Sequence, residues 1–368
     1  MRVAFIALHF AEYSAHLAAA LAETNDVLLL LNGENARNEL GGRLQAEFAQ
    51  PRLTVVTNEP AKGIVGIARN THAIAQAVRR FAPDVVHVQE GLRDELVFAL
   101  PVLRRYPLLM TIHDPVAHSG QDANRMRFSR HRLYRAIMRR SVDAAFAHGA
   151  PLATEVAAQI PRLRGRIYSV PHGPLGPSGD IAPSEPAADC SFLFFGRIHE
   201  YKGLRYFVEA IQRLHRAGLP VLGVIAGRGS DLQPNRPLID QTPEAFTVIE
   251  KYISENEVRR LFLETTAAVL PYVDGTQSGV AAMALGYGRP VIATRAGAIP
   301  ELVRDGVNGT LVATRNVDEL ATAMQVLVSD RGRWRALADG ALALRSGELS
   351  WRQIAVTTVD AYRATLQS

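Results

Sequence analysis

Short, unbroken apolar runs alternate with longer amphipathic stretches along the whole chain. In the first half, Val3–Leu8, Asp26–Leu31, Leu53–Thr57, Val85–Gln89, Leu108–His113, Ala144–His148 and Ile167–Val170 read as strands. Helical patterns over Ser14–Glu23, Ile67–Phe81 and Leu152–Gln159 lie between them. Strands that are apolar throughout, and not on alternate residues, are buried on both faces, which is the situation of a parallel sheet under two layers of helices. The alternation itself predicts a doubly wound α/β domain.

The pattern then breaks. Gly173 through Pro186 is rich in turn residues and lacks periodicity, so residues 174–187 read as a linker. Beyond it the rhythm restarts, with strands at Ser191–Phe195, Val221–Ala226, Thr247–Ile249, Ala267–Leu270, Val291–Thr294 and Gly309–Val312. Helices are expected over Gly203–Ala217, Glu255–Leu263, Gly279–Gly286 and Val317–Val328, and Ser254 with Glu257 forms a capping box for the second of these. Trp351, Ala355, Val359, Tyr362 and Leu366 make one stripe of a terminal helix. The expected architecture is α/β with two Rossmann-like domains, residues 1–173 and 188–350, the carboxyl ends of their strands turned into a shared cleft.

Composition adds limits. The 368 residues are 48% hydrophobic and 21% charged, enough apolar material for two cores. The single cysteine, Cys190, excludes an internal disulfide or a cysteine-rich metal cage and suits a reducing compartment. No apolar run reaches the length of a membrane span, and Met1–Leu8 reads as a first buried strand and not an export signal, so a cytoplasmic protein is expected. The net charge of +5 is uneven: Arg125, Arg127, Arg130, Arg132, Arg135, Arg139 and Arg140 crowd a segment with no acid after Asp122. That segment is either a solvated helix face or a surface for anionic lipid at the inner face of a membrane or for a phosphate-bearing acceptor. Phe128 and Tyr134 alone give too little stacking surface for nucleic acid.

Two loops carry the chemistry. In Phe195-Gly196-Arg197-Ile198-His199-Glu200-Tyr201-Lys202-Gly203 a buried strand ends in glycine, and an arginine and a lysine follow before the next helix. Glycine admits a ligand to the backbone, while Arg197 and Lys202 suit phosphate. Gly275-Thr276-Gln277-Ser278-Gly279-Val280 opens a helix, whose first N–H groups form an anion site. Each loop alone is also explained by ordinary helix capping; their coincidence in one α/β domain favours a phosphate-bearing ligand.

Together these residues resemble the donor half of glycosyltransferase family 4. Gly288-Arg289-Pro290-Val291-Ile292-Ala293 with Gly297 and Glu301, the loop Gly227-Arg228-Gly229, the strand end His113-Asp114 and Pro171-His172-Gly173 all match its motifs. The resemblance implies a GT-B fold, a terminal helix crossing back to the first domain, and a nucleotide-diphosphate sugar as donor. It also implies retention of configuration, with His113 positioning the sugar and Ile253, near Tyr252, in a loop that receives the base. Arg197, Lys202 and the N–H groups of Ser278 and Gly279 would meet the diphosphate, with Gly196, Gly227, Gln277 and Val280 also in the donor site. No Asp-x-Asp triplet occurs, so no metal and no further cofactor is expected. The acceptor is left open among a glycan, a glycolipid and a small molecule, in cell-surface polysaccharide or glycoconjugate synthesis.

The sequence also departs from the family. Its two usual glutamates fall at Gly275, next to Asp274, and at Met283, and its early Gly-Gly pair is replaced by Leu8-His9-Phe10-Ala11. These gaps keep two alternatives in view, a nucleotide-sugar epimerase using Glu90, Asp94 and Glu95, and a non-catalytic partner that only binds a nucleotide-sugar. A nicotinamide dehydrogenase is excluded because Leu8–Ser14 holds no glycine. His148, His172 and His199 are weaker site candidates.

Overall fold

The computed structural model describes residues 1–91, 93–115, 130–179, 181, 185, 190–275 and 277–367. The chain divides into two compact units, with boundaries after Pro171 and after Ser350; the terminal segment Trp351–Ser368 belongs to the first.

The first unit is a parallel sheet of strands β1 (Arg2–Ala7), β2 (Asp26–Asn32), β3 (Leu53–Asn58), β4 (Val85–Gln89), β5 (Leu108–Ile112), β6 (Ala144–His148) and β7 (Ile167–Val170), in the order β3-β2-β1-β4-β5-β6-β7. Helices α1 (Ala11–Ala22), α2 (Gly33–Leu40), α3 (Arg43–Phe48), α4 (Gly63–Phe81), α5 (Asp94–Leu103), α6 (Arg130–Ser141) and α7 (Ala150–Gln159) fall between strands. Strands β1, β4, β5 and β6 are apolar because both faces are covered, and Val3–Ala7 and Ala144–Ala147 are essentially inaccessible. The strand order reverses at β1, which is where open α/β sheets hold ligands.

The second unit repeats the plan with β8 (Cys190–Phe195), β9 (Val221–Ala226), β10 (Phe246–Ile249), β11 (Ala267–Leu270), β12 (Val291–Thr294) and β13 (Gly309–Val312), ordered β10-β9-β8-β11-β12-β13. Its helices are α8 (Leu204–Arg216), α9 (Leu232–Ile239), α10 (Glu255–Glu264), α11 (Gly279–Gly286), α12 (Ile299–Leu302), α13 (Val317–Ser329) and α14 (Arg331–Ser346). Phe192, Phe194, Phe207, Ile211 and Trp334 anchor its core. The stretch read as a linker does not hang free at its start. Leu175 N–H donates to Ala282 O at 3.0 Å, and Arg345 holds the carbonyls of Pro177 and Gly179. Gly286 is required there, since a Cβ would overlap the Leu175 carbonyl.

The terminal helix α15 (Trp351–Leu366) docks on α1 of the first unit. Trp351 stacks on His16 with rings 5.3 Å apart and meets Tyr13 edge-on at 5.0 Å. Tyr362, fully buried, bonds His87 Nδ1 through its hydroxyl at 2.6 Å, and His87 Nε2 reaches Thr111 Oγ1 at 2.7 Å. Burial holds the His87 imidazole neutral, its pKa pushed down to about 3. Among the described residues, no helix is long and apolar enough to cross a membrane.

Candidate active site

In the second unit, three loops at the carboxyl ends of neighbouring strands sit backbone against backbone. Gly196 follows β8 with φ 99°, its N–H donating to Ala226 O at 2.9 Å; Ile198 N–H donates to Arg228 O at 3.0 Å. A Cβ on Gly227 (φ 138°) would stand 1.9 Å from Gly196 O, and one on Gly203 2.2 Å from Pro271 O. Glycine is therefore demanded by packing as well as by dihedral angle at these turns.

This packing delivers Lys202 into the site. The residue ends a short 3-10 turn, Glu200–Lys202, and is buried. Its Nζ lies 3.2 Å from the point a Gly196 Cβ would occupy, with Val280 Cγ2 3.7 Å from that same point, and 5.4 Å from the Tyr272 ring centroid. Burial, reinforced by the charge of Arg197, lowers the lysine to about 7. Neither Lys202 nor the exposed Arg197 pairs with a carboxylate among the described residues. A buried cation without a counter-charge is costly, and an anionic ligand would offset that cost.

The second loop completes the cradle. Ser278 caps α11, its Oγ accepting from Ala281 N–H at 3.2 Å, and lies 3.4 Å from the Tyr272 hydroxyl. The Gly279 and Val280 N–H groups precede the first intrahelical bond, and a Cβ on Gly279 would meet nothing within 4 Å. Thus Gly196, Lys202, Ser278 and Val280 converge, with Gly227 forming the floor under Gly196. Gln277 lies in the same loop; its neighbour Thr276 is outside the described residues. Ile253 is buried on the same edge of the sheet, just before the α10 capping box and two strands from β8. Sequence reasoning did not mark Tyr272, which burial pushes up to about 12 and which bridges Lys202 to Ser278.

His113 belongs to the first unit, at the end of β5. It is buried, and its Nε2–H donates to Gln89 Oε1 at 2.6 Å. Phe10 packs on it at 4.0 Å, and His148 and Tyr13 stand 5.1 and 5.8 Å away. Phe10 occupies the left-handed region (φ 60°, ψ 49°), a strained conformation for a side-chain-bearing residue, at the turn between β1 and α1. His9 beside it accepts from Arg93 Nε at 3.3 Å, and burial with Arg93 lowers its pKa to about 4. The α1 N-terminus is already satisfied, with Ala11 N–H on Asn35 Oδ1 at 3.1 Å and Glu12 N–H on Glu39 Oε2 at 3.0 Å.

Other candidates have structural partners. His172 lies in the second unit, where burial lowers its pKa to about 4 and its Nδ1 bonds Gly173 O at 2.7 Å. His199 is half-buried against Tyr201. Glu90 is held in a two-pronged pair by Arg139 at 2.7 and 3.0 Å, which ties up one of the three acids an epimerase would draw on. Among the arginine-rich segment, Arg125 and Arg127 are outside the described residues, and only the backbone of Arg130 is described.

Two Rossmann-like units, one with a basic cradle at its strand ends, define the GT-B class of glycosyltransferases. Residues 11–173 match the family model described as Glycosyltransferase Family 4, and residues 189–330 match that described as Glycosyl transferases group 1. The chain belongs to glycosyltransferase family 4 and is a glycosyltransferase. Its relatives include a glycogen synthase of Mycobacterium tuberculosis, 26% identical over 293 residues, which are 78% of this chain and 70% of that protein. A D-inositol 3-phosphate glycosyltransferase of Nocardia farcinica is 32% identical over 195 residues, 50% of this chain and 42% of the relative. The Anabaena Alr3699/HepE structure in complex with UDP superposes with a TM-score of 0.68 at 17% identity, covering 99% of this chain and 100% of that one. Sucrose-phosphate synthase from Thermosynechococcus elongatus gives 0.67 at 17% identity, covering 99% and 98%.

Proposed function

We propose that this chain transfers a sugar from a nucleoside-diphosphate donor to an acceptor hydroxyl, with retention of configuration and without a metal ion, in glycan or glycoconjugate synthesis. One observation carries the reading: Lys202 is buried beside Gly196 under the charge of Arg197, with no carboxylate paired to it among the described residues. Departure of a nucleoside diphosphate concentrates negative charge on phosphate oxygens, and preorganised cations and N–H groups that meet this charge lower the barrier. Arg197 offers a planar fork, Lys202 a point charge, and Gly279 and Val280 the two N–H groups at the α11 terminus. These groups stand in for a metal, and the absence of an Asp-x-Asp triplet fits that assignment. Removing one such donor costs roughly 3–4 kcal/mol of transition-state stabilisation.

Retention rests on the family, in which attack comes from the face the nucleotide leaves. His113, at the end of β5 with its Nε2–H on Gln89, is the residue assigned to positioning the sugar. The uridine nucleotides of the Anabaena structures make UDP the first donor base to test. An acceptor on a lipid carrier would bring the chain to a membrane, where the described members of the arginine segment are Arg132, Arg135, Arg139 and Arg140.

The test is a thermal-shift panel of nucleoside diphosphates and nucleotide-sugars, with and without chelator, on the wild type and on Arg197→Ala/Lys202→Ala. Stabilisation by one base's diphosphate, indifferent to chelator and lost in the double variant, is the expected result. A flat response to every nucleotide would leave a degenerate, non-catalytic partner as the better reading. Chelator-sensitive stabilisation would remove the metal-free mechanism.

A further inference from the structure

We infer that the face of the first unit formed by α4, α5 and α6 is a docking surface for an anionic lipid bilayer. The inference is independent of the transfer chemistry. These helices belong to the crossovers β3 to β4, β4 to β5 and β5 to β6, which all run the same way across the sheet. Right-handed crossovers place such helices on one face, and α4 packs along α5 and α5 against α6.

Two kinds of side chain that a solvated face avoids occur together here. Ile64 and Val65, in the first turn of α4, are 86% and 82% exposed, Leu133 of α6 is 60% exposed, and Phe98 of α5 is 55% exposed. Ile64, Ile67, Phe98 and Val102 line a groove of about 440 Å³ between α4 and α5. On α6, Arg132, Arg135, Arg139 and Arg140, with Arg162 from the turn after α7, surround a second hollow of about 420 Å³. Neither α4 nor α6 contains an aspartate or glutamate. Glu90 faces this hollow from the end of β4; it is bound to Arg139 and lies 3.9 Å from Arg135. Arg132 and Arg140 are exposed and have no carboxylate partner among the described residues.

Charge selects the occupant. An ordinary exposed helix intersperses both signs, which screens its own repulsion. A second copy meeting this face through a two-fold axis would set arginine against arginine. A bilayer with anionic headgroups meets both halves of the surface at once: the guanidinium groups take phosphates, and the side chains of Ile64, Val65, Phe98 and Leu133 enter the headgroup–acyl boundary. The arginine-lined hollow is large enough for one phosphate headgroup.

The experiment is co-sedimentation of the full chain with vesicles of phosphatidylcholine alone or with about 30 mol% phosphatidylglycerol, at low and high salt. The variants are Ile64→Asp/Val65→Asp and Arg132→Glu/Arg140→Glu, none of which belongs to the donor cradle. The wild type is expected to sediment only with anionic vesicles and to be released by salt, and each double variant should lose binding by about tenfold or more. The nucleotide-dependent thermal shift should persist in both variants, which keeps folding failure apart from loss of docking. Equal partitioning to neutral and anionic vesicles, or binding indifferent to either pair of substitutions, would overturn the inference. So would a concentration-dependent dimer abolished by Ile64→Asp/Val65→Asp, which would assign the face to a second copy. Retention on polyglutamate without vesicle binding would assign it to an acidic protein and overturn the inference equally.

Discussion

Binding of a nucleoside diphosphate should pull a proton onto Lys202. Burial and Arg197 hold this lysine at about 7, where an ordinary lysine titrates near 10.4. A diphosphate against Nζ supplies the missing counter-charge and returns the ammonium toward its ordinary value. Near pH 8.5 the empty site is then about 3% protonated and the occupied site about 99%, so close to one proton enters per nucleotide bound. Near pH 6 the empty site is already about 90% protonated, and uptake falls to about 0.1 proton. The sign follows from a pKa raised by binding: affinity is full below pH 7 and weakens about tenfold per unit above it, until the pKa of the occupied site is reached.

The assay is isothermal titration calorimetry with UDP near pH 8.5, in two buffers of different ionisation enthalpy. Phosphate oxygens are fully ionised there, since their last pKa is about 6, so the difference in heats reports the protein alone. Lys202→Arg is the control, because guanidinium cannot lose its proton in this range and uptake should vanish while binding survives. An uptake below about 0.2 proton in the wild type, or the same uptake in Lys202→Arg, would refute the reasoning.

Gln89→Leu leaves the buried His113 Nε2–H without its 2.6 Å acceptor and frees the ring to change tautomer. kcat should fall about tenfold, equivalent to about 1.4 kcal/mol, with KM for the donor little changed; steady-state kinetics showing an unaltered kcat would remove Gln89 as a positioning residue. His87 is buried neutral with a pKa of about 3, so the unfolded chain binds the extra proton and stability drains away as pH falls below about 6.5. The loss from this residue reaches about 2 kcal/mol at pH 5, and His87→Gln should flatten the urea midpoint against pH by that amount. An unchanged pH profile in the variant would place the acid lability elsewhere, for instance at His9 or His172, which are lowered to about 4.

The sheets were legible because their central strands are apolar on both faces, a pattern no exposed element imitates. Two of the helices left unread, α5 and α9, carry Pro101 and Pro237 inside them, which breaks the pattern, and α4 was read only from Ile67 because it begins at Gly63 with Ile64 and Val65 in solvent. Gly196, Lys202 and Val280 were readable because the strand–glycine–lysine spacing and the helix-opening loop are local patterns. Gln89 was not, being one polar residue closing an apolar strand, and its partner is 24 positions away. Tyr272 had no pattern to mark it, since its contact with Lys202 comes from loop packing around Gly203. The pairing of Glu39 with the α1 terminus spans 27 positions and needs the fold to be seen.

The departure from the family's glutamates fits a Lys202 that has no carboxylate paired with it among the described residues and that burial and Arg197 depress. A carboxylate within about 4–6 Å of the ammonium would favour its charged form and raise its pKa. The loop before α11 carries Gly275, and the adjacent Asp274 accepts from Gly275 N–H through Oδ1 at 2.8 Å. Lys202 is therefore only partly protonated near pH 7 in the empty site, and an anion beside Nζ would raise that fraction. The same substitution leaves the N–H groups of Gly279 and Val280, and not a carboxylate, to meet what lies above the helix. A carboxylate there would repel a diphosphate it does not touch through a sugar hydroxyl, whereas N–H groups attract it directly. If the diphosphate binds as proposed, its oxygens are met at this helix terminus by the Gly279 and Val280 N–H groups, and selection of the donor sugar must come from other side chains.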